Sequence, residues 1–193
     1  MPVEKFAAPS AVEDIFPHRD RLREIIGASR KISIIGVGNP TRGDDGAGIA
    51  VIAGIMESFG APADSSVFSV VTSRGVSLLL IDSRTTPENY ISEILEHSPE
   101  CVLFIDCADF SGSGLEPGSV RIFDERPVVD KPFLSSHCVP LTLVAAIIRK
   151  KIPAVSLGII GIQPSCVDFD APADARVLKS CSKLTEDFRE LLN

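Results

Sequence analysis

Two aspartates and a histidine in this sequence have side chains that can bind a metal ion, and each lies next to an apolar run. Asp45 follows the first such run, Asp106 ends a second, and His137 precedes a helical pattern. Two carboxylates and an imidazole form a mixed oxygen and nitrogen set, which suits a divalent ion of the Mn to Zn series with a coordination position left open. These three residues are therefore candidate metal ligands.

The same residues also have structural interpretations, which the sequence alone leaves open. Asp44 and Asp45 stand just before a predicted helix, where one carboxylate can cap free N–H groups while the other points at a ligand. Asp106 can accept hydrogen bonds from loop amides, and His137 can close a helix end. A helix N-terminus disfavours imidazolium, however, and a metal requires the neutral ring, so this placement of His137 suits a ligand.

Asp44 and Asp45 belong to a glycine-rich loop, residues 36–48, between a strand pattern at 32–35 and a helical pattern at 49–57. The glycines allow the backbone to approach whatever binds there. A dinucleotide fingerprint needs a third glycine where Thr41 stands, and the two carboxylates would repel a pyrophosphate. The loop is therefore predicted to serve a cation or a peptide, and a nucleotide-binding regulatory module is the least favoured hypothesis.

The composition indicates one globular domain. The chain has 193 residues, 45% hydrophobic and 23% charged, which is enough to bury a sizeable core. No apolar run approaches the about 20 residues that span a bilayer. Because Glu4 and Lys5 interrupt the start of the chain and no apolar segment follows, we find no signal-peptide pattern. A cytoplasmic location is predicted.

Charge and cysteine content restrict the partners further. The net charge of −7 comes without a basic stripe, so neither nucleic acid nor an anionic membrane is an expected partner. The five cysteines include no C-x-x-C pair, which argues against a disulfide framework and against a zinc ribbon. Reduced thiols are therefore predicted.

Alternating strand and helix patterns predict an α/β fold, a three-layer sandwich with a twisted, mostly parallel sheet and helices on both faces. The strand patterns are 32–37, 101–106, 119–123 as an antiparallel edge strand, 155–162, and 67–82 as either a hairpin or one strand after an extended segment. The helical patterns after the first are 86–95, 137–150 and 177–191. Ligands of such folds gather at the carboxyl ends of the strands, where Asp45, Asp106 and His137 can converge.

The two ends of the chain differ in character. Residues 1–30 form an N-terminal extension with one short helical pattern, and this extension either packs on the domain of residues 31–193 or serves as an interaction arm. The last helical pattern is the most regular, and it predicts a core position for Cys181. Its apolar residues step by four, three, four and three: Val177, Cys181, Leu184, Phe188 and Leu191.

Five ordered motifs resemble those of a known family, the maturation endopeptidases of [NiFe]-hydrogenases, of the hydrogenase 3 or coenzyme F420-reducing hydrogenase type. These enzymes remove a C-terminal extension from the hydrogenase large subunit once nickel has been inserted. The motifs are Gly36-x-Gly38-Asn39 with Gly43-Asp44-Asp45-Gly46-x-Gly48, then Thr86-Pro87-Glu88-Asn89, Phe104-Ile105-Asp106-Cys107-Ala108-Asp109, His137-Cys138-Val139-Pro140-Leu141, and Gly161-Ile162-Gln163-Pro164.

The resemblance implies a peptidase domain at 31–193 with a phosphorylase/hydrolase-like sandwich. It implies that Asp45, Asp106 and His137 contact nickel, which a nickel-loaded large-subunit precursor presents as the recognition signal. No nucleotide cofactor is expected. The cleft is shaped by Gly38, Asn39, Gly43 and Gly46. Asp44 and Asp109 either support the nickel contacts or have a structural role, as a helix cap or in loop hydrogen bonds.

Several points stay open in the sequence. No familiar nucleophile motif is present, so hydrolysis is expected to use the metal cleft or a water oriented by a carboxylate. Cys138 is either a softer fourth ligand or a small buried residue. Glu88 and Gln163 follow strand patterns but also fit local structural roles. The alternative function is a non-enzymatic nickel-binding or delivery module for hydrogenase assembly.

Overall fold

The computed structural model describes residues 17–110, 114–124 and 141–193. Six strands lie in this part of the chain: β1 (Lys31–Gly36), β2 (Val67–Val71), β3 (Ser77–Asp82), β4 (Cys101–Cys107), β5 (Val120–Asp124) and β6 (Ser156–Ile162). The α-helices are α1 (Pro17–Gly27), α2 (Ala47–Ser58), α3 (Ile91–His97), α4 (Leu141–Lys151) and α5 (Ala175–Leu192). Two 3₁₀ turns, Gly43–Gly46 and Pro87–Tyr90, precede α2 and α3.

The strands form one mixed sheet in the order β2-β3-β1-β4-β6-β5. Its four central strands, β3, β1, β4 and β6, are parallel, and each edge strand pairs antiparallel with its neighbour. The predicted sheet is confirmed, and so is the antiparallel edge strand near 119–123. At 67–82 the structure shows the hairpin, because β2 pairs directly with β3.

Helices cover both faces of this sheet, as the sequence predicts. Side chains of the central strands alternate between two buried clusters, so Ile34 belongs to one and Ile35 to the other. The first cluster includes α2, α5 and the α1 residues Leu22 and Ile26, and the second includes α3 and α4. The extension before residue 31 therefore contributes to the main core through α1.

The last helix confirms its predicted periodicity. All five residues of the apolar stripe on α5 are buried in the first cluster, and Cys181 is 4% exposed. Asp174 caps the start of this helix, because its side chain accepts a hydrogen bond from the backbone N–H of Arg176. None of the four described cysteines forms a disulfide. Of the helices described, none is long and apolar enough to cross a bilayer.

The connections reverse direction between β1 and β4. From β1 the chain continues to β3 on one side, whereas β4 lies on the other side, so the loops after β1 and β4 diverge over this pair of strands. In open α/β sheets a crevice forms at such a point, beyond the carboxyl ends of the strands. The glycine-rich loop and Asp106 both lie there, because they follow β1 and end β4.

Close packing of α2 against this crevice depends on Gly48. A Cβ atom at Gly48 would lie 2.2 Å from the carbonyl oxygen of Ile105 and 2.3 Å from that of Val37. The two backbone segments that carry these oxygens are hydrogen-bonded to each other, since the Val37 N–H donates to Ile105 O at 2.8 Å. Gly48 therefore sets how closely the start of α2, and Asp45 just before it, approaches the end of β4.

Gly48→Ala is expected to destabilise the fold by about 3 kcal/mol, because neither carbonyl can move without disturbing the central strands. In a chain of this size the midpoint of thermal unfolding should fall by about 6–12 °C. Gly27→Ala is the matched control, since no heavy atom lies within 4 Å of the added Cβ. Equal unfolding midpoints for the two variants in a calorimetric scan would contradict this interpretation.

Candidate active site

Asp45 and Asp106 both lie at the carboxyl edge of the sheet. Asp45 lies in the 3₁₀ turn that leads into α2, and Asp106 is the penultimate residue of β4. Their exposed fractions are 2% and 0%. One carboxylate oxygen of Asp45, Oδ2, accepts a hydrogen bond from the Asn39 N–H at 3.2 Å. Both acids are thus buried at the point where the strand connections diverge.

The Cys107 thiol lies among these acids, because it follows Asp106 at the end of β4 and lines the cavity with Asp45 and Asp109. Burial is the main cause that raises the pKa of Cys107, and four carboxylates raise this pKa further, in the order Asp106, Asp45, Asp44 and Asp109. Each carboxylate is therefore close enough to Cys107 to disfavour the negatively charged thiolate. The Cys107 thiol is protonated at neutral pH, which makes it a poor nucleophile.

A cavity of about 250 Å³ opens beside these acids. It is lined by Asp45, Cys107, Asp109, Gln163, Pro164, Ser165, Cys166 and Val167. Two segments contribute most of this lining, the end of β4 and the loop that follows β6. Within the described lining the charged side chains are acidic and none is basic, so the cavity favours a cationic or hydrogen-bond-donating group.

Asp44 does not cap the helix that follows it, which corrects one expectation. The residue at the start of α2 is Gly46, and no side chain caps that helix. The carboxylate of Asp44 instead turns to the loop after β6. Its Oδ2 accepts from the N–H groups of Ser165 (2.8 Å) and Cys166 (3.1 Å), and its Oδ1 accepts from Asp174 N–H (2.7 Å). The 3₁₀ turn aims Asp44 away from α2 and makes it a clamp on this loop.

Asp109 is exposed and is positioned by Gln163. The Nε2 of Gln163 donates to Oδ1 of Asp109 at 3.2 Å, and its Oε1 accepts from the Phe110 N–H at 2.8 Å. Gln163 therefore does more than end a strand. It connects the loop after β4 to the loop after β6 at the cavity wall.

The loop residues assigned to the cleft hold the backbone of Asp45 in place. Gly38 has φ 143°, and a Cβ there would lie 2.0 Å from the carbonyl oxygen of Asp45. The Asn39 N–H donates to that same carbonyl oxygen at 3.1 Å. Gly43 and Gly46 pack against the Cys166 carbonyl and Pro40, with added Cβ atoms at 2.7 and 2.8 Å. Backbone contacts at these positions thus fix the turn that carries Asp45.

His137 and Cys138 lie outside the described residues, so their predicted roles stay predictions. Within residues 17–110, 114–124 and 141–193, no group of three or more His, Cys, Asp or Glu side chains is arranged to hold a metal ion. Helix α4 begins at Leu141 and ends shortly before β6, and it packs against the 3₁₀ turn that follows β3. Because its last residue leads into the amino end of β6, its first residue lies toward the carboxyl edge of the sheet.

Glu88 lies in that 3₁₀ turn after β3 and does not line the cavity. Its Oε2 atom is buried, and within the part of the chain that is described no group donates a hydrogen bond to it. Glu88 thus shares the carboxyl edge of the sheet with Asp45 and Asp106. It contributes no wall to the same pocket.

A serine and histidine cluster occurs at the opposite edge of the sheet. Oγ of Ser33 is 3.0 Å from Nδ1 of His97, and Oγ of Ser77 is 3.1 Å from its Nε2. Burial, and to a lesser extent the charge of Lys31, lowers the pKa of His97. Both ring nitrogens are thus engaged by serine hydroxyls near the amino ends of β1 and β3. This cluster links α3 to the sheet and belongs to a different region from the cleft.

The sequence motifs assign no role to Cys107, and they do not include three further cavity residues, Ser165, Cys166 and Val167. Cys107 follows Asp106 in one of the motifs and is the last residue of β4. That position at the end of a strand is the sequence signal that could have placed it beside the cavity. Cys166 comes three residues after Gln163, and its thiol donates to Oδ2 of Asp168 at 3.4 Å. No local signal marks Cys166, because it joins the site only through the loop that Asp44 clamps.

The fold and cleft define an α/β sandwich protein with a buried acidic site at the point where its strand connections diverge. Comparison with known proteins identifies its family. A family model described as hydrogenase maturation protease matches residues 70–188. The chain belongs to the hydrogenase maturation protease family and is a peptidase.

Individual relatives agree with this assignment over most of the chain. A Methanocaldococcus jannaschii protein named as a hydrogenase maturation protease is 30% identical over 174 residues, covering 90% of this chain and 95% of that relative. The hydrogenase 3 maturation protease of Escherichia coli K12 is 32% identical over 136 residues, covering 70% of this chain and 74% of the relative.

A solved structure supports the same fold. The [NiFe] hydrogenase maturation protease HycI from Thermococcus kodakarensis superimposes with a TM-score of 0.73 and 26% identity, covering 89% of this chain and 98% of that one. The sequence-based family resemblance and the three-layer fold are both confirmed by these comparisons.

Proposed function

We propose that this peptidase removes the C-terminal extension of a [NiFe]-hydrogenase large-subunit precursor after nickel insertion. In this proposal Asp45, Asp106 and His137 contact the nickel that the precursor presents. The metal is part of the substrate and reports that the precursor is ready for cleavage. The similarity to hydrogenase maturation proteases supports the choice of substrate.

The observation that carries the proposal is that Asp45 and Asp106, both buried, lie at the crevice beyond the carboxyl ends of β1 and β4. Asp45 also lines the cavity of about 250 Å³, so a group entering this cavity would reach a carboxylate that is otherwise almost fully buried. Two carboxylates are an incomplete coordination shell, which suits a metal whose remaining ligands come with the substrate. His137 precedes α4 by four residues in the sequence, and α4 begins toward the same edge of the sheet.

The chemistry of the cavity lining supports a proposal for how the bond is cut. Hydrolysis needs a water molecule and a group that accepts its proton, and the acidic side chains lining the cavity are Asp45 and Asp109. The Cys107 thiol does not replace the water, because burial and the neighbouring carboxylates raise its pKa. We therefore propose a carboxylate-oriented water as the nucleophile.

The direct test is incubation of the purified protein with large-subunit precursor in nickel-loaded and nickel-free forms. Mass spectrometry should show a shortened product and a released C-terminal peptide from the nickel-loaded precursor alone, because only that form completes the metal contacts. Equal cleavage of both forms would refute nickel recognition. Transfer of nickel without release of a peptide would favour the delivery module instead.

A further inference from the structure

Arg42 is fixed beside the cavity, three residues before Asp45. Its Nε–H donates to the carbonyl oxygen of Val167 at 3.1 Å, and Val167 lines the cavity. Its guanidinium carbon lies 4.9 Å from the centroid of the Phe169 ring, in a cation–π contact. Arg42 is therefore held by its inner nitrogen and by one face.

These contacts leave the outer end of Arg42 available. Its two terminal nitrogens donate no hydrogen bond and pair with no carboxylate among the residues that the structure describes. Phe169 is 69% exposed, which is unusual for an aromatic side chain held in place. A planar guanidinium with both outer N–H groups free matches a carboxylate in a two-point contact.

The loop that carries Phe169 is held against the loop that carries Arg42. The Asp170 N–H donates to the Thr41 carbonyl oxygen at 2.9 Å. Asp170 has φ 55°, a left-handed conformation that residues other than glycine seldom adopt. Residues in such conformations persist where surrounding contacts impose them, often at ligand sites. The Arg42–Phe169 pair is thus built before any ligand arrives.

We infer that Arg42 binds a carboxylate of the peptide substrate beside the cavity, and that Phe169 is covered by the peptide when it binds. This inference rests on the proposed function. The cavity walls are acidic, so an acidic group of the substrate would be repelled there unless a cation met it. Arg42 supplies that cation and determines the position of the peptide in the cleft.

The experiment measures kcat and KM for nickel-loaded precursor with the full-length wild type, Arg42→Gln, Arg42→Lys, Arg42→Glu and Phe169→Ala. Arg42→Gln should raise KM by about 10-fold to 100-fold at nearly unchanged kcat, the scale for losing a charge-assisted hydrogen bond. Arg42→Lys should recover part of this loss, because the charge returns without the two-point geometry. Arg23→Gln on α1 removes the same charge from a surface site and should match the wild type.

Two altered precursors identify the carboxylate. One carries Lys in place of every Asp and Glu within ten residues of the cleavage site, and the other has a lengthened C-terminus that moves the terminal carboxylate. Arg42→Glu should process the Lys-bearing precursor better than the unaltered one if a side-chain acid is bound. If the terminal carboxylate is bound, lengthening should raise KM for the wild type but not for Arg42→Gln.

The outcomes separate this inference from the proposed function. A wild-type protein that cleaves no precursor would defeat both. Normal wild-type cleavage together with an unchanged KM for Arg42→Gln would overturn the inference alone. A raised KM with no response to either altered precursor would also overturn it, because a purely structural role for Arg42 cannot distinguish substrates.

Discussion

Asp45→Asn is expected to reduce processing of the nickel-loaded precursor by at least about 100-fold, the scale for losing one member of a catalytic or metal-contact set. Folding should be preserved, because the amide oxygen of Asn can still accept the hydrogen bond from the Asn39 N–H. In Asp106→Asn the new side chain has the same shape as the original one, so this variant should also fold and should lose processing to a similar extent. His137→Ala should also abolish processing if the proposed nickel contact is correct.

The thermal midpoint of Asp45→Asn should equal or exceed that of the wild type. Asp45 is one of four carboxylates close enough to raise the pKa of Cys107, so removing one charge relieves like-charge repulsion. Glu88→Gln is the matched control and should reduce processing less than Asp45→Asn does, since Glu88 does not line the cavity. The double variant of Asp45 and Asp106 should be no slower than either single variant, because the acids act as a unit.

Three results would count against this assignment. Normal processing by Asp45→Asn would show that the Asp45 carboxylate is not needed for cleavage. Full additivity in the double variant would show that the two acids act independently. Unfolding of every variant would show that these residues hold loops together rather than contact substrate.

Asp44→Ala is expected to act on stability, with a loss of about 3 kcal/mol or more in the free energy of unfolding. The variant leaves three backbone N–H groups without their acceptor, those of Ser165, Cys166 and Asp174. Asp44 is 1% exposed, so water replaces the carboxylate poorly. The thermal midpoint should fall by about 6–12 °C.

Hydrogen exchange gives the sharper measurement for Asp44. The amides of Ser165, Cys166 and Asp174 should exchange faster in the variant, while amides in the centre of β4 keep their relative protection. Asp44→Asn is the intermediate control, because its carbonyl oxygen can still accept but its NH₂ group faces a donor. Unchanged exchange at all three amides would contradict the clamp.

Local sequence patterns determined the fold class and the edge of the sheet at which Asp45 and Asp106 lie. Buried strands and the stripe on α5 are encoded by periodicities that need no distant partner, so the sheet, the layers and Cys181 in the core were predictable. The rule that ligands gather at the carboxyl ends of parallel strands then made Asp45 and Asp106 candidates for one site. His137 remains a prediction of the sequence and of the family resemblance.

The tertiary structure alone decided what the side chains near Asp45 bind. Asp44 precedes a helix and has the residue type of a helix cap, yet its carboxylate accepts from amides more than 120 positions away. Arg42, in the loop after β1, contacts Phe169 in the loop after β6. Cys166 belongs to that second loop and lines the cavity. Hydrogen-bond partners so far apart leave no periodic signal, because their meeting depends on how the loops after β1 and β6 pack across the edge of the sheet.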